Sequence, residues 1–323
     1  MLRAQNIQYE MADRTRAIPC GGIGAFRVLA HPLGLIDELN SRLHLPKAHL
    51  PYHESDHVLN VAYNTLTGGT CFDDIALRRN DETYLDALDA QRIPAPTTAG
   101  DFTRRFAGPD VVALMEGVNA IRPKLWRKRL RRRERREAIL DVDGIVAPTT
   151  GECKEGMDIA YNGVWGYHPL LLSLANTAEP LFLVNRPDIR YFFTITNIEK
   201  RSAAQIVYFS NDRCNQENLI EQLKNGLNAL RMPTGDLVSS WAYMVIASLA
   251  WTLKAWFALV VRSSEAREEL LRMEFRRFLH AIVALPRQIV RTGHRVVCRI
   301  LGYNEWTRTF LRTFDRIRQL EFT

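Results

Sequence analysis

The chain has 323 residues, 46% of them hydrophobic and 24% charged, with a formal net charge of +7. That length suits about two domains with a sizeable core, and the composition is that of an ordinary soluble protein. Cys20, Cys71, Cys153, Cys214 and Cys298 lie far apart without a C-x-x-C pair, which argues against a structural zinc site or disulfide framework and fits a reducing cytosol.

Residues 1–20 are polar and charged, so no signal peptide is expected there. Residues 31–123 read as short helices within an N-terminal helical region, 1–123. Leu33, Leu35, Ile36, Leu39 and Leu43 make one apolar face, and Val58, Leu59, Val61, Ala62 and Leu66 make another, ended by Gly68-Gly69. Thr97 and Thr98 can cap a helix that runs through Arg104 and Arg105. Helix, turn and basic helix are compatible with a helix-turn-helix that reads DNA; an ordinary helical packing unit fits equally well.

A basic segment, 124–137, follows, and it reads as a helix extending toward the first strand. It carries nine basic residues, Lys128, Arg129, Arg131, Arg132 and Arg133 among them, against Glu134 and Glu137. Its net charge equals that of the whole chain. A solvated helix face would need more acids, so phosphate contact is the better reading, with nucleic acid ahead of membrane as the partner.

Residues 138–261 then change pattern. Strands are expected over 138–146, 167–174, 180–185 and 190–196, with a turn at 176–179. A helical period covers 203–230, and 241–261 forms an apolar helix. Lys254 interrupts that apolar run, so burial in the protein is expected rather than a membrane span. The last region, 262–323, reads as basic and helical. Arg287, Arg291, Arg295 and Arg299 recur every four residues, as along one helix face, although Gly293 weakens that reading. The face could meet phosphate or simply be solvated.

Two segments carry chemistry. Asp141 and Asp143 lie two apart on a strand, so both side chains share a face, and Gly144 lets the chain turn close to a substrate. Arg213, Glu217, Glu221 and Lys224 fall at i, i+4, i+8 and i+11, one helix face. Hard divalent cations need carboxylates gathered from separate elements, and phosphoryl transfer on DNA uses two such cations about 4 Å apart. Each half alone arises readily by chance; their order, after a basic segment, is far less common.

The strings AILDVDG, APTTGECKEGMD, GYHPLLLSLANTAEPLFLVNRP, NDRCNQENLIEQLKNG and WAYMVIASLAWTLKAWFAL resemble bacterial insertion-sequence DDE transposases. The branch is the insertion-sequence-1380 type, in the larger group marked by Y-x2-R-x3-E-x6-K, and the resemblance covers nearly the whole chain. It implies an α/β protein whose ribonuclease-H-like mixed sheet follows a helical DNA-binding region. It also implies two magnesium or manganese ions, binding to terminal inverted repeats and target DNA, cleavage and strand transfer, and a homodimer on paired ends in a bacterial cytoplasm. By position, Asp143 matches the first catalytic carboxylate and Glu217 the third. Asp141 is a neighbouring metal ligand, and Arg213 and Lys224 match the basic positions.

Three departures stand out. Ser210 occupies the signature tyrosine position, and Ile145 stands two after Asp143, where threonine is usual. The segment that should hold the second catalytic aspartate is missing, because Arg186-Pro187 runs directly into Asp188-Ile189-Arg190. Reaching a strand parallel to the first takes a crossover of a dozen or more residues, and only a tight turn fits here. The expectation is therefore a core lacking its central strand and second acid, with an exposed sheet edge. Among Asp158, Asp188 and Asp212, Asp188 is best placed by order to substitute, but it lies in the turn. The competing reading is a DNA-binding protein without catalysis that competes with an intact transposase.

Three further signals lead elsewhere. His53-Glu54-Ser55-Asp56-His57 matches H-E-x-x-H, but Pro51 and the capping residues put it at a helix start. There it reads as part of a solvated or capping histidine cluster with His44 and His49. Gly21-Gly22-Ile23-Gly24 lacks the preceding strand of a dinucleotide loop. Trp165, Tyr167, Trp241, Trp251 and Trp256 read as core, with Trp165 also able to stack on a base.

Overall fold

The computed structural model describes residues 16–45, 51–149, 151, 154–160, 163–185, 214–292 and 295–321. After a short strand β1 (Ala17–Ile18), seven helices follow: α1 (Ile23–Ala30), α2 (Leu35–Arg42), α3 (Glu54–Leu66), α4 (Ile75–Arg79), α5 (Glu82–Ala87), α6 (Pro96–Thr103) and α7 (Gly108–Arg129). Six strands come next: β2 (Leu140–Gly144), β3 (Ala147–Pro148), β4 (Asp158–Ile159), β5 (Trp165–Tyr167), β6 (Leu170–Leu174) and β7 (Glu179–Val184). The chain continues with α8 (Cys214–Glu221), α9 (Leu237–Val260), α10 (Ser264–Arg272), α11 (Phe275–Phe278), strands β8 (Arg287–Thr292) and β9 (Arg295–Ile300), and α12 (Thr307–Arg318).

The protein is thus mixed α/β. Three small sheets have the orders β2-β6-β7, β3-β5-β4 and β1-β8-β9, and every described strand pair is antiparallel. A mixed sheet is therefore not seen among the described residues. The expected strand at 190–196 and the first part of the helical stretch, 203–213, lie outside them. The single strand expected over 167–174 is two, β5 and β6. His168 and Pro169 separate them, and proline cannot donate to a central ladder.

The apolar helix sits at the centre of the molecule. α9 is buried along its length and packs against α3, α7, α10 and β7. It is the one described helix long and apolar enough to cross a membrane, and its whole apolar window lies inside the protein. Three indoles fasten it to the sheet. Trp241 Nε1 donates to Leu183 O at 2.5 Å, Trp251 Nε1 to Ala178 O at 2.6 Å, and Trp256 Nε1 to Glu179 Oε1 at 2.9 Å. Lys254 is buried too. Its Nζ lies 3.7 Å from the Trp251 ring centre and donates to Leu271 O at 2.9 Å, and burial holds its ammonium well below the usual lysine range.

Glu179, at the head of β7, gathers four donors. Oε1 accepts from Arg122 Nε at 3.1 Å and Trp256 Nε1, while Oε2 accepts from Trp126 Nε1 at 2.9 Å and Thr177 Oγ1. Arg122 also reaches Pro180 O at 2.6 Å and Thr252 Oγ1 at 3.2 Å. Arg122 and Glu179 are 2% and 0% exposed. A carboxylate this deep is stable only because each lone pair is engaged.

Two expectations for the basic regions change. The helix does not continue through the basic segment: α7 ends at Arg129, and residues 132–135 form a turn. Like charges packed on successive turns repel, and Glu134 Oε2 accepts from Arg131 N to close the turn at 2.5 Å. The C-terminal region is not wholly helical either, because β8 and β9 pair antiparallel, with Thr292 opposite Arg295. The four-residue arginine spacing is therefore not a helix face. The β-branched residues beside those arginines favour strands, and Gly293 falls in sequence between the paired ends.

The N-terminal segment closes on this pair of strands. β1 pairs with β8, and Gly21 N and Gly22 N donate to Leu285 O and Val283 O at 3.1 and 3.0 Å. A Cβ on Gly22 would collide with the Ile282 carbonyl, so the glycine run serves close backbone approach.

α6 has Ala95 at its N-cap and Pro96 as its first residue, so Thr97 and Thr98 are not its caps. α3 begins at Glu54, and Asp56 Oδ2 accepts from His53 N at 2.9 Å, so the H-E-x-x-H motif does sit at a helix start. His57 is not solvated, however. It stacks on Phe102 with ring centres 4.4 Å apart, and burial lowers its pKa to about 4.

Both buried groups should show themselves in stability. Glu179→Ala leaves Arg122 uncompensated and should cost about 3–5 kcal/mol in urea unfolding; a loss below about 1 kcal/mol would contradict the role given to this carboxylate. For His57, the unfolded imidazole titrates near 6.5 and the folded one near 4. Between those values only the unfolded state binds the proton, so stability should fall as the pH drops through this window and level off below it. His57→Gln should flatten that fall, and urea midpoints of the two proteins that stay parallel from pH 7 to 4 would refute it.

Candidate functional site

β2 forms because Leu140-Asp141-Val142-Asp143 alternates, and its five residues pair one-to-one with β6. Asp141 lies opposite Ser173 and Asp143 opposite Leu171, so both carboxylates fall on one side of the sheet, as expected from their spacing. Leu140 and Val142, on the other side, are 55% and 47% exposed. Asp143 Oδ1 accepts from Gly144 N at 2.8 Å. Among the described residues β2 has one neighbour, β6, and its other edge is unpaired.

α8 lies against the same sheet. Gln216 Nε2 donates to Leu171 O at 3.3 Å, and Leu219 is buried. These contacts turn the next residue, Glu217, to the exposed side of the helix. After Glu221 the helix widens into a π-helical turn, Gln222–Gly226, that contains Lys224. The turn is pinned by Phe275 N, which donates to Gln222 Oε1 at 2.8 Å. This wider turn breaks the regular spacing between Glu217 and Lys224. Arg213 lies outside the described residues.

A cleft of about 510 Å³ opens between β2, the basic turn, α8 and α10. Asp141 lines it, with Arg131, Arg133, Gln216, Arg267 and Arg272. Asp143, Glu217 and Lys224 are not among its lining residues, so the fold brings Asp141 rather than Asp143 to the opening. Arg131, Arg132 and Arg133 are exposed around it, as is Lys128, while Arg129 is half-buried. Arg104 and Arg105 follow α6 on the surface outside this cleft, and Arg104 is paired with Asp101 at 2.9 Å.

Sequence reasoning missed Gln216, Arg267 and Arg272. Gln216 adjoins the signature glutamate and could have been read as its inward neighbour. The arginines of α10 sit among Glu265, Glu268 and Glu269, where they look like a solvated helix face.

Strand and helix carboxylates are the hard oxygen donors that a divalent cation takes. Among the described residues, however, no three acidic, histidine or cysteine side chains gather closely enough to hold one. Asp158 is exposed on β4, and its Oδ1 accepts from its neighbour Ile159 N at 2.7 Å. Asp188 and Asp212 lie outside the described residues. The cleft therefore sets arginines beside Asp141, and among the described residues its donor set falls short of a two-ion centre.

Comparison with known families matches residues 184–322 to the model described as transposase DDE domain, group 1. The matched segment contains α8 to α12 and begins after the strand that carries Asp141 and Asp143. No curated protein and no solved structure matches the chain. Residues 184–322, with Glu217 on their first described helix, are thus similar to the DDE domain of transposases.

Proposed function

We propose that the chain is the transposase of a bacterial insertion sequence, of the insertion-sequence-1380 type. In this reading it binds the element's terminal inverted repeats as a homodimer on the nucleoid, and its cleavage centre is incomplete. The observation that carries this reading is the cleft in which Asp141 lies among Arg131, Arg133, Arg267 and Arg272, beside the helix bearing Glu217. Positive side chains around the cleft would neutralise DNA phosphates, and release of counterions would drive binding. Asp141 and Asp143 would approach the strand from β2.

The family chemistry is metal-dependent strand cleavage and joining, with magnesium or manganese supplying the charge that stabilises the attacking and leaving oxygens. The β2-β6-β7 order suits the first three strands of a ribonuclease-H-like sheet. The unpaired edge of β2 is where the strand with the second aspartate would lie. With no third donor beside the pair among the described residues, the donor set favours DNA binding over complete cleavage. The competing reading, a non-catalytic binder that blocks element ends, rests on that same shortfall.

Supercoiled plasmid carrying the element ends, incubated with magnesium or manganese, tests both readings. Wild type should bind DNA with a steep salt dependence and leave the plasmid uncut. Replacing Arg131, Arg132 and Arg133 by Gln should flatten the slope of log K against log salt by about 0.9 for each phosphate that is no longer neutralised. Nicking that disappears in both Asp143→Ala and Glu217→Ala would mean a complete centre exists, against the impaired reading. Failure of wild type to bind DNA even at low salt would remove the transposase function.

A further inference from the structure

Arg129 at the C-terminus of α7, Arg262 and Arg267 around the start of α10, and Arg316 on α12 lie within reach of one another's charge. Their proximity shows in their proton affinities. Burial first, then Arg316 and Arg267, lowers the pKa of Arg129; burial first, then Arg262 and Arg267, lowers that of Arg316. Arg267 Nη1 reaches the last carbonyl of α7, Arg129 O, at 3.5 Å, so the negative end of the helix takes up one donor.

Among the described residues nothing anionic balances the rest, and no carboxylate pairs with any of these four arginines. The acids of α10 are engaged elsewhere, Glu268 with Arg272 at 2.7 Å and Glu269 with Arg277 at 3.1 Å. Arg129 Nε, Arg267 Nε and Arg316 Nη1 are buried and have no hydrogen-bond partner among the described residues. A buried, unsatisfied charged donor is expensive, and three on neighbouring arginines beside an open cleft is the arrangement of a site whose acceptor comes from outside. Several guanidinium forks suit a tetrahedral oxyanion best, because each can give two parallel N–H donors. Arg267 also lines the cleft that holds Asp141, so the cluster and the cleft are continuous.

We propose that Arg129, Arg262, Arg267 and Arg316 form a phosphate site that seats one backbone phosphate of the DNA strand lying in the Asp141 cleft. The proposal rests on the DNA-binding reading above and adds a fixed anchor at one end of the cleft. A seated phosphate sets where the strand lies relative to Asp141, whereas the exposed arginines of residues 131–133 attract DNA without fixing its register. Orthophosphate offers the same oxygens, so the site should take it as well, more weakly than DNA.

The full-length chain tests this with two probes, inorganic phosphate and a duplex of arbitrary sequence. Phosphate should raise the wild-type melting temperature above that in chloride of equal ionic strength, and Arg267→Gln and Arg316→Gln should lose that rise. Without phosphate, each of these variants should melt at or above wild type, because removing one like charge relieves repulsion. Arg262→Gln, at an exposed position, keeps the test sound if a buried variant folds poorly. Each variant should flatten the salt slope of duplex binding by about 0.9, the increment for one phosphate. A phosphate rise that survives in all the variants, or duplex binding with an unchanged slope, would overturn the site. An arginine-dependent phosphate response in a wild type that binds no duplex would overturn the DNA assignment and, separately, the function proposed above.

Discussion

The Glu179 carboxylate holds this structure together. It stands at the head of β7 with two donors on each oxygen, from α7, from α9 and from the turn before it. Removing a carboxylate from water costs several kcal/mol, and only a full complement of hydrogen bonds with the Arg122 charge offsets that. The geometry of the offset is demanding. Arg122 must lie on the buried face of α7, Trp126 one turn further, and Trp256 at the far end of α9. Meeting all three conditions sets both long helices against the edge of the β2-β6-β7 sheet. The remaining indoles of α9, Trp241 and Trp251, then fall on carbonyls of the same hairpin, and β6 is held where β2 can pair with it.

From this clamp the cleft follows. α7 must end where its basic run begins, because beyond Arg129 the chain leaves the packed face and returns to β2 through a turn closed by Glu134. The turn leaves Arg131 and Arg133 beside Asp141. On the far side, α10 packs on α9 and brings Arg267 and Arg272 to the same opening. Arginines from segments more than a hundred residues apart in the chain therefore share the cleft with Asp141, Glu134 and Glu268. For the DNA partner proposed above, attraction by the arginines and repulsion by Asp141 would act at one place.

Much of this was legible in the chain. The alternation of Leu140-Asp141-Val142-Asp143 announces a strand with both acids on one side, and the apolar run around Lys254 announces a buried helix. Asn176 and Thr177 mark the turn before β7. The failures share a cause. Arg287, Arg291, Arg295 and Arg299 match a helical period, yet their β-branched neighbours pair strand to strand, and a periodicity count sees the charges before the pairing. His57 looks solvated by its neighbours in the chain and is buried by Phe102 from another helix. Lys224 has the right sequence spacing from Glu217, but a π-helical turn held by Phe275 breaks the regular helix between them.

By itself the sequence carried the likeness to DDE transposases, the order of strands and helices around the two acidic segments, and the concentration of charge in residues 124–137. These depend on local alternation and on short motifs, which neighbouring residues specify. Only the tertiary structure decided which acid enters the cleft, which arginines line it, and that Arg129, Arg262, Arg267 and Arg316 lie near one another with no paired carboxylate among the described residues. Those outcomes depend on how α7, α9 and α10 pack around Glu179. That packing is set by which side chains become buried together, and no stretch of chain encodes it alone.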